Sequence, residues 1–318
     1  MRGVIRWGAA VLALVAGAAF AAPAGRAAGG SSASGPALDL YRITASPGAA
    51  KALGRAGFDV AAVRADGTTE VVLTAPEADR LRQAGFSPVR WRDGQGRSVA
   101  DLARPPAADG SRFMVWKRWE GPGGMRAEIE GLAAARPDLV RTQIIGRSVQ
   151  GRDIVAVRLT GGLPRVPDGA RPAVLYVSLQ HAREWISGEV TRRLLRSLVD
   201  AYGIDPETTK LLDTTELWFL PVANPDGYEL TFETGFRLWR KNAADNDRDG
   251  KITIQDGVDT NRNLPDHWGW APLGSSEVRG DQTYRGPSPA SEPETQALVA
   301  LAERLRFRFV VNYHSFGR

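Results

Sequence analysis

The chain has 318 residues, enough for two domains, and its 43% hydrophobic content suits a globular protein with a sizeable core. Its formal net charge of +5 comes from 41 Lys and Arg against 36 Asp and Glu. The arginines are dispersed, not gathered into a basic block with interleaved aromatics, which argues against nucleic-acid binding, and the lack of cysteine excludes disulfides and thiolate metal sites.

Residues 1–28 have the layout of a secretory signal peptide: basic Arg2 and Arg6, an apolar stretch from Gly8 to Phe20, and small residues on both sides of Phe20 in Ala19-Phe20-Ala21. The alternative, a membrane anchor, is disfavoured because the stretch falls short of the ~20 residues a spanning helix needs. A secreted protein, free of the membrane after cleavage, is expected. Residues 29–37, rich in Gly and Ser, read as a flexible linker.

A small α+β unit is expected over 38–95. Strand signals lie at Leu38–Thr44, Asp59–Val63, Thr69–Thr74 and Pro88–Trp91, and helix signals at Pro47–Gly57 and Pro76–Gly85. The Ala65-Asp66-Gly67 turn joins the middle strands as a hairpin. This βαββαβ order suggests an open sandwich, and no catalytic constellation falls within it. Residues 96–111 read as a second linker. Arg97, Arg104 and Arg112 make the region a candidate for tryptic-type cleavage, with an uncut surface loop as the alternative.

The larger domain, 112–318, alternates strands with long helices, so it is α/β. A helix is predicted at Met125–Ala135, then a turn-rich hairpin at Ile145–Asp153 leading into strand Ile154–Leu159. Strand Pro172–Leu179 precedes helix Ile186–Ala201, whose apolar positions are 190, 194, 195 and 198. Strand Glu216–Val222 follows. A capping box at Ser291-Glu-Pro-Glu294 is predicted to open a helix to about Arg306, ahead of strand Phe307–His314.

Only three histidines are present, His181, His267 and His314. His181 and Glu184 stand three apart just after a buried-strand pattern, and His314 ends another. Sites on open α/β sheets gather at the carboxyl ends of strands. The three side chains can therefore form an open three-ligand zinc site. His267, in Pro265-Asp-His-Trp-Gly269, reads as a loop residue.

Between those strand ends lie Pro221-Val-Ala-Asn-Pro-Asp-Gly-Tyr228, Arg237-Leu-Trp-Arg-Lys-Asn242 and Asp259-Thr-Asn-Arg-Asn263. With His181-Ala-Arg-Glu184 and Asn312-Tyr-His-Ser315, this ordered set resembles the zinc carboxypeptidases of the carboxypeptidase A type over about residues 112–318. The resemblance implies a mixed sheet flanked by helices, and Zn2+ held by His181, Glu184 and His314, the ligand set of carboxypeptidase A itself. It implies that Asn261 and Arg262 grip a substrate's free C-terminal carboxylate, for which a planar guanidinium is suited. Arg240 matches the arginine that stabilises the developing oxyanion, and Arg183 a position lining an outer subsite. The substrate would be a peptide or protein and the enzyme a monomer. The 38–95 unit stands where these enzymes carry a propeptide capping the cleft; an adhesion or folding module is the alternative.

The family's general-base glutamate, its closing tyrosine and the residue setting side-chain preference lie downstream of the last zinc ligand. This sequence stops four residues after His314, so none of them can be placed. The expectation is a chain lacking part of the catalytic domain, binding zinc poorly and not hydrolysing peptides. Rival readings are a same-fold amidase or deacylase, and a zinc- or peptide-binding module without activity.

One motif stands apart. Asp245, Asp247, Asp249, Lys251 (through its carbonyl), Thr253 and Asp256 follow the spacing of a calcium loop, with Gly250 at its sixth position. Asp in place of Glu at the twelfth position shortens the reach of that carboxylate. A lone Ca2+-stabilised loop is expected, one that could hold Arg240 and Arg262 in place.

Overall fold

The computed structural model describes residues 38–102, 117–233, 235–270 and 274–315. The proposed signal peptide, the 29–37 linker, Arg104 and Arg112 lie outside them.

The small unit has the expected order: β1 (Asp39–Thr44), α1 (Pro47–Arg55), β2 (Asp59–Val63), β3 (Thr68–Leu73), α2 (Ala75–Gln83) and β4 (Val89–Arg90). Its sheet runs β2-β3-β1-β4, every pair antiparallel. Alternation in β1 turns Tyr41 and Ile43 onto a core with Leu53, Val71, Leu73 and Leu81. Thr74 and Glu77 close a capping box that starts α2. The predicted linker differs at its beginning. Ser98 and Asp101 cap each other, and a short helix, α3 (Val99–Leu102), packs Val99 near Leu38, Val72 and Leu238. Arg97 is engaged with Asp93.

The larger unit contains α4 (Met125–Ala135), β5 (Val140–Arg147), β6 (Asp153–Leu159), β7 (Ala173–Val177), α5 (Trp185–Ala201), α6 (Pro206–Thr214), β8 (Glu216–Leu220), α7 (Pro225–Leu230), α8 (Pro293–Leu305) and β9 (Phe309–Asn312). Its sheet, in the order β5-β6-β8-β7-β9, is mixed: β5, β6 and β8 pair antiparallel, while β7 is parallel to both β8 and β9. Helices cover both faces. Met125 and Ile129 of α4, Leu195 and Val199 of α5, and Leu212 of α6 fill one side, and Ala297, Leu301 and Leu305 of α8 the other. Strand β8 is buried throughout because it is covered on both faces. The outer strand, β9, is mostly exposed.

Several predicted elements change. The hairpin begins earlier, with β5 starting at Val140 and its turn confined to residues 148–152. Helices α6 and α7 were not anticipated. Val190 of α5 is half-exposed, and Trp185 and Val199 carry the burial instead. The Ser291 capping box does not form. Glu292 is the N-cap without a side-chain bond, and the Glu294 carboxylate is taken by Val149 N and Asn242 Nδ2. A buried tertiary partner has displaced the local one.

The two units meet closely. Gly57, at φ +84°, ends the turn after α1, and a Cβ there would lie 2.0 Å from Asp281 Oδ2 of the larger unit. Leu38 and Val72 pack on Leu238 nearby.

Candidate active site

The site is assembled where β7 and β9 end. Past β7, Ser178 continues the ladder to Leu220 O, and its Oγ donates to Pro221 O. Leu179 then takes the left-handed conformation, φ 54°, and turns the chain out of the strand. Gly188 on α5 makes room for it, since a Cβ there would meet Leu179 Cδ1 at 2.5 Å. The turn is held by Ala182 N donating to Arg240 O and Glu184 N to His181 O. It sets His181 Nδ1 2.8 Å from Glu184 Oε1.

His314 arrives through strand register. Asn312 lies opposite Val177 in the parallel β7–β9 pair, and Tyr313 N donates to Val177 O. Asn312 Nδ2 also donates to Gln180 Oε1 at 2.6 Å. His314 Nδ1 thus stands 3.1 Å from His181 Nδ1 and 3.0 Å from Glu184 Oε2. The three ligand atoms lie within 4.8 Å of one another. Two ring nitrogens and a carboxylate converging on one point fit a zinc ion. His181 and Glu184 are buried while His314 is exposed, so the open side faces solvent. Burial opposes ionisation of Glu184, but hydrogen bonds and charge from His181 and His314 hold its carboxyl well below the ordinary range.

Behind the triad stands Asp259, fully buried. Its Oδ2 accepts from Arg240 Nε and Nη2 at 3.0 and 2.8 Å. Its Oδ1 accepts from Asn261 N at 3.0 Å and lies 3.3 Å from His181 Nε2. Although burial alone would raise its pKa, Arg240 and His181 hold this carboxyl well below the usual range. One carboxylate therefore binds Arg240 and faces His181. The sequence reading assigned Asp259 no role, though it opens the Asp259–Asn263 motif. The missed signal was the need of a buried arginine and a buried imidazole for an anionic partner.

The expected substrate residues cluster around the triad. Arg240 and Arg183 are buried. Between them is a second residue that sequence reasoning missed, Asp59 of β2, which is ion-paired with Arg183 and 4.0 Å from Arg240 Nη1. Burial opposes its charge too, but Arg183 and Arg240 keep its pKa lowered. Asn261 Nδ2 lies 3.3 Å from His314 Nε2. Arg262 is half-buried and donates to Gly274 O and Asn261 O, forming no salt bridge among the described residues. His267 is an exposed loop residue stacked on Trp270.

The acidic loop is only partly as expected. Ligand atoms of Asp245, Asp247 and Asp249 lie within 4.8 Å of one another. Asp256 does not join them. Asp256 is buried, and its carboxylate accepts from Asn246 N, Thr253 N and Thr253 Oγ1. Folding of the loop onto itself consumes the twelfth-position acid. Lys251 is exposed, its N–H donating to Asp249 Oδ1.

Residues 125–318 match the zinc carboxypeptidase family, and the chain belongs to that family. It is 33% identical over 195 residues to metallocarboxypeptidase A of Trichophyton tonsurans, and 34% identical over 192 residues to carboxypeptidase B of Rattus norvegicus. Each alignment covers 60% of this chain and 43% of the relative, so the chain spans less than half the length of these curated relatives. Among solved structures, carboxypeptidase A of Helicoverpa armigera superimposes with TM-score 0.67 at 27% identity, covering 89% of this chain and 70% of that one. Among the described residues no helix is long and apolar enough to cross a membrane.

Proposed function

We propose that this chain carries the metal- and carboxylate-binding residues of a secreted zinc carboxypeptidase that removes C-terminal residues from peptides or proteins. The convergence of His181, Glu184 and His314, with Arg240 tied to the same Asp259 that faces His181, carries this reading. When bound, zinc supplies Lewis-acid polarisation of the scissile carbonyl and activation of water. Arg240, preorganised by Asp259, stabilises negative charge developing on the carbonyl oxygen. Asn261 and Arg262 bind the terminal carboxylate, and Arg183 lines an outer subsite.

The chain is read as a proenzyme. Asp59 of the small unit offers a carboxylate to Arg183 and Arg240, the groups a substrate would need, so this unit occludes the cleft until it is removed. Asp245, Asp247 and Asp249 form a small Ca2+ site in the same reading.

Zinc titration and peptide binding, before and after limited trypsin treatment, test the proposal. One zinc per chain is expected, lost in His181→Ala. After cleavage the chain should bind a peptide with a free carboxyl terminus and not its C-terminal amide. Equal binding of the acid and the amide would overturn the carboxypeptidase reading in favour of an amidase-like or simple binding role.

A further inference from the structure

Two carboxylates outside the metal centre are buried without a cation. Glu292 and Glu294 open α8 at 6% and 3% exposure. Both accept from one amide, Asn242 Nδ2, at 2.7 and 3.2 Å. Glu292 also accepts from Ser291 Oγ at 2.7 Å, and Glu294 from Val149 N at 3.1 Å. Among the described residues neither acid forms a salt bridge with Lys, Arg or His. The charged groups on surrounding elements are engaged elsewhere. Arg147, on β5, pairs with Asp153, and Arg152, in the hairpin turn, with Asp226 and Glu120. Arg240 is held by Asp259, and Lys241 donates to Ile254 O and Arg279 O. Asp226 of α7, besides Arg152, accepts from Gln150 N.

Asn242 is the hinge pin of this arrangement. It clips Val258 from both sides, its N–H donating to Val258 O at 2.9 Å and its Oδ1 accepting from Val258 N at 2.7 Å. Val258 precedes Asp259, and Asn242 follows Arg240 by two residues. The acids therefore anchor the peptide that aims Asp259 and the loop that carries Arg240.

We infer that Glu292 and Glu294 form a buried acid pair that gives up one of its two charges, and that this pair positions the Asn242–Val258 clip beneath Arg240 and Asp259. Two like charges on one amide in a dry setting repel, so one is neutralised. Burial is the largest influence on Glu294, pushing it up to about 7, with the charge of Glu292 adding to the rise. This inference goes beyond the carboxypeptidase reading, since its proton count requires neither zinc nor hydrolysis.

The test is a carboxyl 13C titration of the glutamate-labelled full chain, paired with stability measured against pH. A group raised in the folded state contributes stability that is complete below the ordinary Glu range and lost as pH climbs through about 7. Relative to Glu294→Gln, the unsubstituted chain should therefore lose roughly 50- to 100-fold in its folding equilibrium between about pH 5 and 8. Protection of the Val258 and Asn242 backbone amides from exchange should fall over the same window, and stay level in Glu294→Gln. Glu292→Gln should move the midpoint to lower pH. Titration of the Glu294 carboxyl below about pH 5, in the ordinary range, would overturn the inference. Because the titration is read on the unsubstituted chain, it decides the matter even where a variant fails to fold.

Discussion

The cluster proposed to hold zinc and the acidic loop each bring three potential ligand atoms within 4.8 Å, yet they are built in opposite ways. The proposed zinc ligands come from two strand ends 133 residues apart, and two of the three are buried. One of them, His181, faces Asp259, a side chain that also holds an arginine. The acidic ligands are alternate residues of one turn, intermediate or exposed, and Asp245 already accepts from the N–H groups of Arg248, Asp249 and Gly250. Folding creates the first site and orients it from outside. The second organises itself and is coupled to little else.

If that contrast holds, damage should propagate from one site and stay local at the other. The largest effect is expected at Asp259→Ala. Removing it takes both carboxylate hydrogen bonds from buried Arg240 and leaves it only the longer contact to Asp59, at a cost of about 3–5 kcal/mol on chemical denaturation. Asp259→Asn preserves volume but not charge, and should weaken zinc binding about 10- to 100-fold by competition with a chromophoric chelator. Unchanged zinc affinity in that variant would show that His181 is oriented without Asp259.

Acid should expose the same dependence. Asp259 and Asp59 both have lowered folded-state pKa values. Each contributes stability that is present above the ordinary Asp range and is lost as pH falls below it. The fall in melting temperature below about pH 4 should be shallower in Asp59→Asn. Loss of Asp59 should also loosen the contact between units, giving faster cleavage by trypsin at neutral pH. The smallest effect is expected at the acidic loop. Saturating Ca2+ should raise the melting point by a few degrees, consistent with about 2–3 kcal/mol of ligand stabilisation at 100 times Kd, and Asp247→Ala should remove the shift while leaving zinc affinity unchanged. Coupled loss of zinc binding would break the contrast.

The parts of this molecule legible in its sequence were those with short-range periodicity or ordered motifs. The βαββαβ order of the small unit, helix Met125–Ala135 and the strand ends carrying His181 and His314 all appear nearly where expected. Tertiary competition was not legible. Ser291-Glu-Pro-Glu294 has the spacing of a capping box, but Glu294 is claimed by Val149 and Asn242. Asp256 has the spacing of a calcium ligand but is claimed by Asn246 and Thr253. Asp59 looked like an ordinary strand residue, because its meaning depends on Arg183 and Arg240, both more than a hundred positions later. In each case the partner that a polar group takes depends on the folded arrangement and not on spacing alone.

Gly57 has a further consequence. It sits where the two units touch, with Asp281 in the space a side chain would need. A single added methyl there, two residues along the chain from the Asp59 that pairs with Arg183, works as a wedge against Asp281. The seam thus contains a ready-made pry point, through which the covering unit can be lifted by degrees, with alanine, valine or leucine, while the chemistry beneath keeps its own residues intact.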